Sequence, residues 1–557
     1  MGWIFRAGRV IFRATEAMNV PRKQTILLVL AAAVFLGQAA RAQNLGQIGV
    51  TLLRVETTNL NGSGIRIAQV EANNGDTNGI FHGTNSWEVN PAAVGQPLAL
   101  FTYTSGLGTS TSFTNGVGDE SGHADAVARN FYGIPSGVAT NVAHVDNFEA
   151  NYFINSVIEP TPYLPPDIGD AMVNQSFTFG PLSTNDQETV DSAYDNYAET
   201  YQTLFISAAC NASISPRVCA PGTAYNCISV GAYGGDSSVG PTLDNGRCKP
   251  DIVAPGGATS FSTPYVAGAA AVLMQAGLRG DGGNTNSAVD IRTVKALLLD
   301  GAIKPAGWTN SNSSPLDARY GAGVLNVFNS YEQLAGGKHG YIVSAAVSSG
   351  GAHPPTGDSG TVGVLSGWDF NSISSTSGGI LSSATDGVNH YYFDVTNDSG
   401  NAPFTLTATL VWNRQQNQTG INNLDLFFYD CANSNLVACS TSRVDNVEHI
   451  FLPKLAQGRY DLQVLKSAGN NTVSDAETYA LAFEFFTEPL QIAQVETSAA
   501  FSWPVYPAGF TLESTTNLAS PAVWMTNNIP PPVVTNSQNH ILLNATNANQ
   551  FFRLRRP

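Results

Sequence analysis

The stretch from Lys249 to Gly277, KPDIVAPGGATSFSTPYVAGAAAVLMQAG, constrains the fold more than any other part of this chain. A short β-forming run, Asp251-Ile252-Val253, stops at Pro255-Gly256-Gly257, and an Ala-, Val- and Leu-rich segment suited to a helix starts just after Ser260. One hydroxyl is thereby placed at a strand-to-helix junction. Unpaired backbone N–H groups and the positive end of the helix dipole converge there, which suits a nucleophile and the oxyanion that forms beside it. Small residues at Ala267, Gly268, Ala270 and Ala271 let the helix approach a sheet closely. The same letters also fit an ordinary helix start, in which Ser and Thr only cap the first turn.

Other stretches separate these two readings. The run Ala258-Thr259-Ser260-Phe261-Ser262-Thr263-Pro264-Tyr265-Val266-Ala267-Gly268 resembles the serine-nucleophile motif of the subtilisin-like serine proteases, the subtilases. Two departures stand out. Ala258 takes the place of a glycine, and the loop that usually separates the Ala254-Pro255-Gly256 turn from the motif is almost absent, which reshapes the groove on the leaving-group side.

Upstream, Gly64 to Ala72 has the apolar pattern of a buried strand, ends in the carboxylate of Glu71, and runs into the loop formers Asn73-Asn74-Gly75. The resemblance implies that this carboxylate orients the catalytic histidine, where the family carries Asp. A glutamate accepts the same N–H bond, but its extra methylene moves the carboxylate by about an ångström, a displacement that can cost about 10²-fold in rate. Asp76 and Asp125 are rival orienters.

Two histidines compete as the base. His82-Gly83-Thr84 repeats family letters, but it follows Glu71 closely, and Trp87 and Pro91 come too soon after it for a helix. His123 instead opens a helix-compatible run with Ala124, Val127 and Ala128 on one face, and Gly122 to Arg129 resembles the family's histidine motif. It is the preferred general base. The apolar run Thr203 to Ala209, ending in Cys210-Asn211, resembles the family's oxyanion strand; Asn211 would donate to the oxyanion beside the Ser260 amide. Cys210 stands where the family has glycine. Ala171 to Phe177, with Asn174 and Ser176, resembles the strand whose edge binds substrate backbone, and equally fits an ordinary core strand. Tyr320 to Asn326 closes the resemblance, which covers residues 64 to 335.

At the N-terminus, Arg22-Lys23 precede an apolar run from Thr25 to Gly37 and a small-x-small site, Ala40-Arg41-Ala42. This is the pattern of a secretory signal over residues 1–42, too short for a membrane span, with Met18 a second candidate start. The expected location is secreted, periplasmic or at the cell surface. Charged residues make up only 12% of the chain, and the net charge of −16 argues against nucleic acid or anionic membrane as a partner. A protein or peptide substrate is the partner the resemblance implies. The six cysteines are even in number, as a disulfide-forming exported chain allows; Cys431 with Cys439 is the expected pair, and their spacing fits no zinc site.

A Gly/Ser/Pro-rich stretch, Ser348 to Gly357, marks a linker. Beyond it come short β runs such as Phe404 to Trp412 and Tyr460 to Val464, separated by turns, so a β-sandwich is expected over 358–487. It resembles the accessory domain of some secreted subtilases. Asp425 and Asp445 lie in oxygen-rich segments that would suit structural calcium, and equally are turn and strand-edge groups. Residues 488–557, with Phe501-Ser502-Trp503 and a basic end, are expected to form a small β-domain suited to a surface, a polysaccharide or the sandwich itself. The expected fold is therefore α/β: a subtilisin-like, mostly parallel sheet flanked by helices over 43–338, then the sandwich, then the small β-domain. The implied activity is a serine endopeptidase with Ser260, His123, Glu71 and Asn211 as its working residues and no cofactor needed for the chemistry. The reading from another class is a weak or inactive subtilase-like scaffold that serves as a binding protein.

Overall fold

The apolar runs of the first half of the chain collect into one eight-stranded sheet. In the computed structural model, residues 44–557 are described except 74–84, 160–163, 380–381, 397–402, 470–472, 488–489, 496–497, 505–510, 517–522, 527–528, 536–537, 545–549 and 556–557. The expected signal at 1–42, Asp76 and His82 all lie outside the described residues.

The strands are β1 (Arg66–Glu71), β2 (Phe101–Ser105), β3 (Gly108–Ser110), β4 (His144–Glu149), β5 (Met172–Gln175), β6 (Leu204–Ala208), β7 (Ile228–Tyr233) and β8 (Ile252–Pro255). Their order across the sheet is β8-β7-β6-β5-β1-β4-β2-β3, parallel throughout except for the hairpin β2–β3. Parallel strands covered on both faces need near-continuous apolar sequence, and β1 shows it, with Ile67, Ala68 and Val70 fully buried. The chain winds to one side of β1 through β2–β4 and to the other through β5–β8. Such a switch point opens a crevice at the carboxyl ends of the strands.

The helices that concern the site are α1 (Gly122–Phe131), α2 (Thr184–Tyr201), α3 (Thr259–Arg279) and α4 (Ile291–Asp300). α3 packs against β5, β6 and β7, and it also lies close to the segment after α1: a Cβ on Gly268 would lie 2.4 Å from Cβ of Val138. The α/β architecture expected from the sequence is therefore present.

The second half forms a β-sandwich. One sheet runs β9-β11-β16-β13-β14 and the other β10-β17-β12-β15. The strands are β9 (Val343–Ser348), β10 (Ser366–Ser374), β11 (Thr385–Val395), β12 (Phe404–Trp412), β13 (Leu424–Asp430), β14 (Asn435–Ser440), β15 (Val447–Leu455), β16 (Gly458–Lys466) and β17 (Ala476–Thr487). Side chains of both sheets, among them Tyr391, Phe393, Leu406, Phe428, Leu462 and Phe483, share one core. β9 already belongs to the sandwich, so the stretch Ser348 to Gly357 connects two of its strands. The last segment forms two further antiparallel sheets around Phe501, Trp503, Leu512 and Ile541.

The expected Cys431–Cys439 bond is corrected by strand register. Cys439 lies opposite Phe427, while Cys431 follows the end of β13, four residues further on. At about 3.3 Å per residue the two are about 13 Å apart, well outside disulfide reach. None of the six cysteines is bonded to another.

The sandwich and the α/β layer meet through buried polar contacts. Arg414, 1% exposed, places Nε 2.8 Å from Oδ2 of Asp195 on α2. Its backbone N–H donates to Asn226 at 2.8 Å, and the Asn226 amide donates back to its carbonyl at 3.0 Å. Thr407 and Thr409 of β12 donate to Oδ1 of Asp300 at the end of α4, at 2.9 and 2.7 Å. Asp445, one of the two carboxylates considered for calcium, accepts from the Cys248 N–H at 2.6 Å and from the Ser442 hydroxyl at 2.7 Å. Among the described residues no helix is long and apolar enough to cross a membrane.

Removing one partner of a buried ion pair leaves an uncompensated charge, which costs about 3–5 kcal/mol. Arg414→Ala is expected to lower unfolding free energy by about that amount in denaturant titration. A loss within experimental error would show that the Asp195 contact does not hold the two layers together.

Candidate active site

Glu71 closes β1 at the crevice and is 1% exposed, so its carboxylate needs partners. It has them on both oxygens. His123 places Nδ1 2.8 Å from Oε2, and Gln69 Nε2 donates to Oε1 at 2.8 Å. Gln69 is itself fixed, donating to the Ala124 carbonyl at 3.0 Å and accepting from the Tyr132 hydroxyl at 2.7 Å. His123 is the second residue of α1, whose N-cap, Ser121, accepts from the Ala124 N–H. The helix start and the strand end thus hold imidazole and carboxylate in one geometry.

Burial works against the charged form of His123, but the negative charge of Glu71 and the hydrogen bond to it outweigh burial and raise the imidazole pKa above its ordinary value. A proton at Nδ1, pointed at the carboxylate, leaves Nε2 as the basic nitrogen in the neutral ring. Asp125 is no rival: its Oδ1 accepts from the Asn90 N–H at 2.8 Å, and burial raises its pKa to about 6.

Ser260 is the second residue of α3, in the first turn, whose N–H groups have no partner within the helix. Its hydroxyl donates to the Ser176 carbonyl at 3.1 Å, while the Ser176 hydroxyl donates to the Ser260 carbonyl at 2.9 Å. This reciprocal pair ties the end of β5 to the start of α3. No hydrogen bond joins Ser260 to His123; the two helix starts meet through the His123 and Phe261 rings, whose centroids are 5.6 Å apart. Rotation about the serine Cα–Cβ bond redirects the hydroxyl.

Asn211 follows β6. Its Oδ1 accepts from both the N–H and the hydroxyl of Thr259, at 3.0 and 2.9 Å, so its Nδ2 donors are left without a partner among the described residues. The turn that delivers it passes through Cys210 at φ 83°, a left-handed conformation that costs a non-glycine residue about 1–2 kcal/mol.

Asn174 lies within β5 and Ser176 directly follows it. β5 is an interior strand, paired through Gln175 with β1 on one side and β6 on the other. Both side chains are buried, and Asn174 Nδ2 donates to the Ser176 hydroxyl at 3.1 Å. The pair supports the Ser260 turn from beneath.

Gln69 and Tyr132 are the site residues that the sequence reading missed. The available signal was an amide inside an otherwise apolar strand, since a buried Gln demands partners. Among the described residues, no cluster of His, Cys, Asp and Glu is arranged to hold a metal ion.

Residues 148–323 match the model of the subtilase family, Peptidase_S8. The matched segment includes Asn211 and Ser260 and begins after Glu71 and His123. Among solved structures, the chain is similar to a protease from Pseudoalteromonas arctica PAMC 21717, at 16% identity over 49% of this chain and 91% of that one, with a TM-score of 0.32. A cold-adapted subtilisin-like serine proteinase matches at 20% identity over 44% of this chain and 85% of that one, with a TM-score of 0.28. Tripeptidyl peptidase 2 matches at 12% identity over 79% of this chain and 52% of that one, with a TM-score of 0.30. A search of the curated proteins found no match.

The Glu71 contact predicts a titration. His123 should titrate above its ordinary value near 6.5, and Glu71→Gln should move it down, because the neutral amide removes the charge that favours imidazolium. Any stability that the pair adds is fully present below pH of about 6.5 and is lost as pH rises through the higher folded-state value. NMR titration of the His123 Cε1 resonance measures both; an unchanged value in Glu71→Gln would remove the carboxylate from the account.

Proposed function

We propose that this chain, whose residues 148–323 match the subtilase family, is a secreted serine endopeptidase acting through an acyl-enzyme. The observation that carries the proposal is the 2.8 Å contact of His123 Nδ1 with buried Glu71, set beside a serine at a helix N-terminus. The Ser260 hydroxyl turns from Ser176 to His123 Nε2 and attacks the scissile carbonyl carbon while Nε2 takes its proton. Glu71 stays ionised and stabilises the imidazolium. The oxyanion is held by the Asn211 Nδ2 group and the Ser260 N–H. His123 then gives its proton to the leaving amine as the C–N bond breaks, and a water activated by the same nitrogen releases the acyl group. Every group needed is a side chain or backbone amide of this chain. Export rests on the signal pattern at 1–42.

Substitution at each position tests the roles by turnover of a chromogenic peptide. Ser260→Ala should lower kcat by about 10⁶-fold and Asn211→Ala by about 10²–10³-fold with little change in KM. Glu71→Asp should cost about 10²-fold even though it restores the family residue, because Gln69 and His123 are placed for the longer reach. Full activity in Ser260→Ala would end the proposal, and full activity in Glu71→Asp would end the claim that the site is built around glutamate.

A further inference from the structure

All six cysteines are free thiols, and Cys210 and Cys219 lie on segments that backbone hydrogen bonds join. The backbone brings them together. Cys219 N–H donates to the carbonyl of Ala209, the residue before Cys210, at 3.3 Å, and the Ser238 N–H donates to the Cys210 carbonyl at 2.9 Å. Cys210 also accepts from the Thr178 hydroxyl at 3.6 Å, and Cys219 donates to the Arg217 carbonyl at 3.6 Å. Both residues are buried, at 2% and 3% exposure.

Cys210 holds φ at 83°, where glycine is the residue without steric penalty, and it is the residue directly before Asn211. A side chain retained at such a position calls for a constraint that over-determines the backbone. A covalent link to Cys219 is such a constraint.

We infer that Cys210 and Cys219 are a site of disulfide formation, oxidised by a small-molecule disulfide as the chain folds, and that the bond fixes the turn that presents Asn211. While the segment 211–218 is still open, the Cys210 thiolate attacks one sulfur of the oxidant, forms a mixed disulfide and releases one thiolate. As the segment closes, the Cys219 thiol loses its proton and attacks the Cys210 sulfur, and the second oxidant thiolate leaves. Two protein thiols are oxidised and one disulfide is reduced to two thiols. The charge pattern fits this pairing: the hydrogen bond from Cys219, with those from Thr178, the Asn211 N–H and Ser238, holds Cys210 below the ordinary thiol range against burial, while Cys219 is pushed up. The bond itself does not depend on the proposed peptidase activity; its effect on turnover rests on that reading.

The test is thiol mapping of the full exported chain, equilibrated with a mixture of oxidised and reduced glutathione, acid-quenched, denatured, alkylated, digested and analysed by mass spectrometry. The expected result is one linked species joining Cys210 to Cys219, unalkylated and two hydrogens lighter than the dithiol, with Cys227, Cys248, Cys431 and Cys439 alkylated. Alkylation of both Cys210 and Cys219, or a bond from either to another cysteine, overturns the inference whatever the activity. For the positioning role, Cys219→Ala should lower kcat by about 10- to 10²-fold with KM preserved, and Cys210→Gly added to it should restore kcat, since glycine adopts the turn without a bond. If Cys219→Ala does not fold, chemical reduction of the wild-type protein replaces it. Unchanged kcat after loss of the bond, or no recovery in the double variant, overturns the positioning role.

Discussion

A carboxylate with almost no exposure at the end of a parallel strand is the constraint on which the site depends. An unpaired buried charge of this kind would titrate or open the fold, so Glu71 needs two donors with fixed geometry, and the structure supplies Gln69 from the same strand and His123 from the start of α1. That requirement aligns α1 against β1, sets the imidazole tautomer and fixes which nitrogen faces the crevice. Tyr132 completes the chain of donors by donating its hydroxyl to Gln69 Oε1. A buried network of this kind is stable only when every member is satisfied, which makes a substitution at Gln69 as consequential as one at Glu71.

The opposite wall is built on a different principle. Ser260 lies in the first turn of α3 and Asn211 follows β6, and hydrogen bonds join them to their neighbours: Ser260 and Ser176 bond reciprocally, and Asn211 Oδ1 accepts from the N–H and hydroxyl of Thr259. Beneath them the sheet is covered by α3, and the α/β layer is held against the sandwich by Arg414, Asn226 and Asp300. The geometry of the candidate site is thus carried by helix starts and strand ends that are held on both sides.

Local pattern made much of this legible. The junction at Ser260 and the runs of β1 and α1 are written in consecutive residues, so strand, turn and helix followed from apolar pattern and turn chemistry, and Glu71 came to lie beside His123. What depends on strand order was not legible. Asn174 resembles an edge residue until β5 is known to lie between β1 and β6. Cys431 and Cys439 look like a closed loop until the β13–β14 register separates them. β9, Val-Ser-Ala-Ala-Val-Ser, alternates half-buried and exposed small residues, which is too weak a strand signal to mark where the sandwich begins.

The central claim is that Ser260 is a nucleophile activated by His123, and covalent capture tests it most directly. The protein, treated with a fluorophosphonate and digested, should carry the phosphonyl adduct on Ser260, and His123→Ala should abolish that adduct while leaving the fold intact by circular dichroism. An adduct confined to another residue, or one that forms equally well in His123→Ala, would contradict the account.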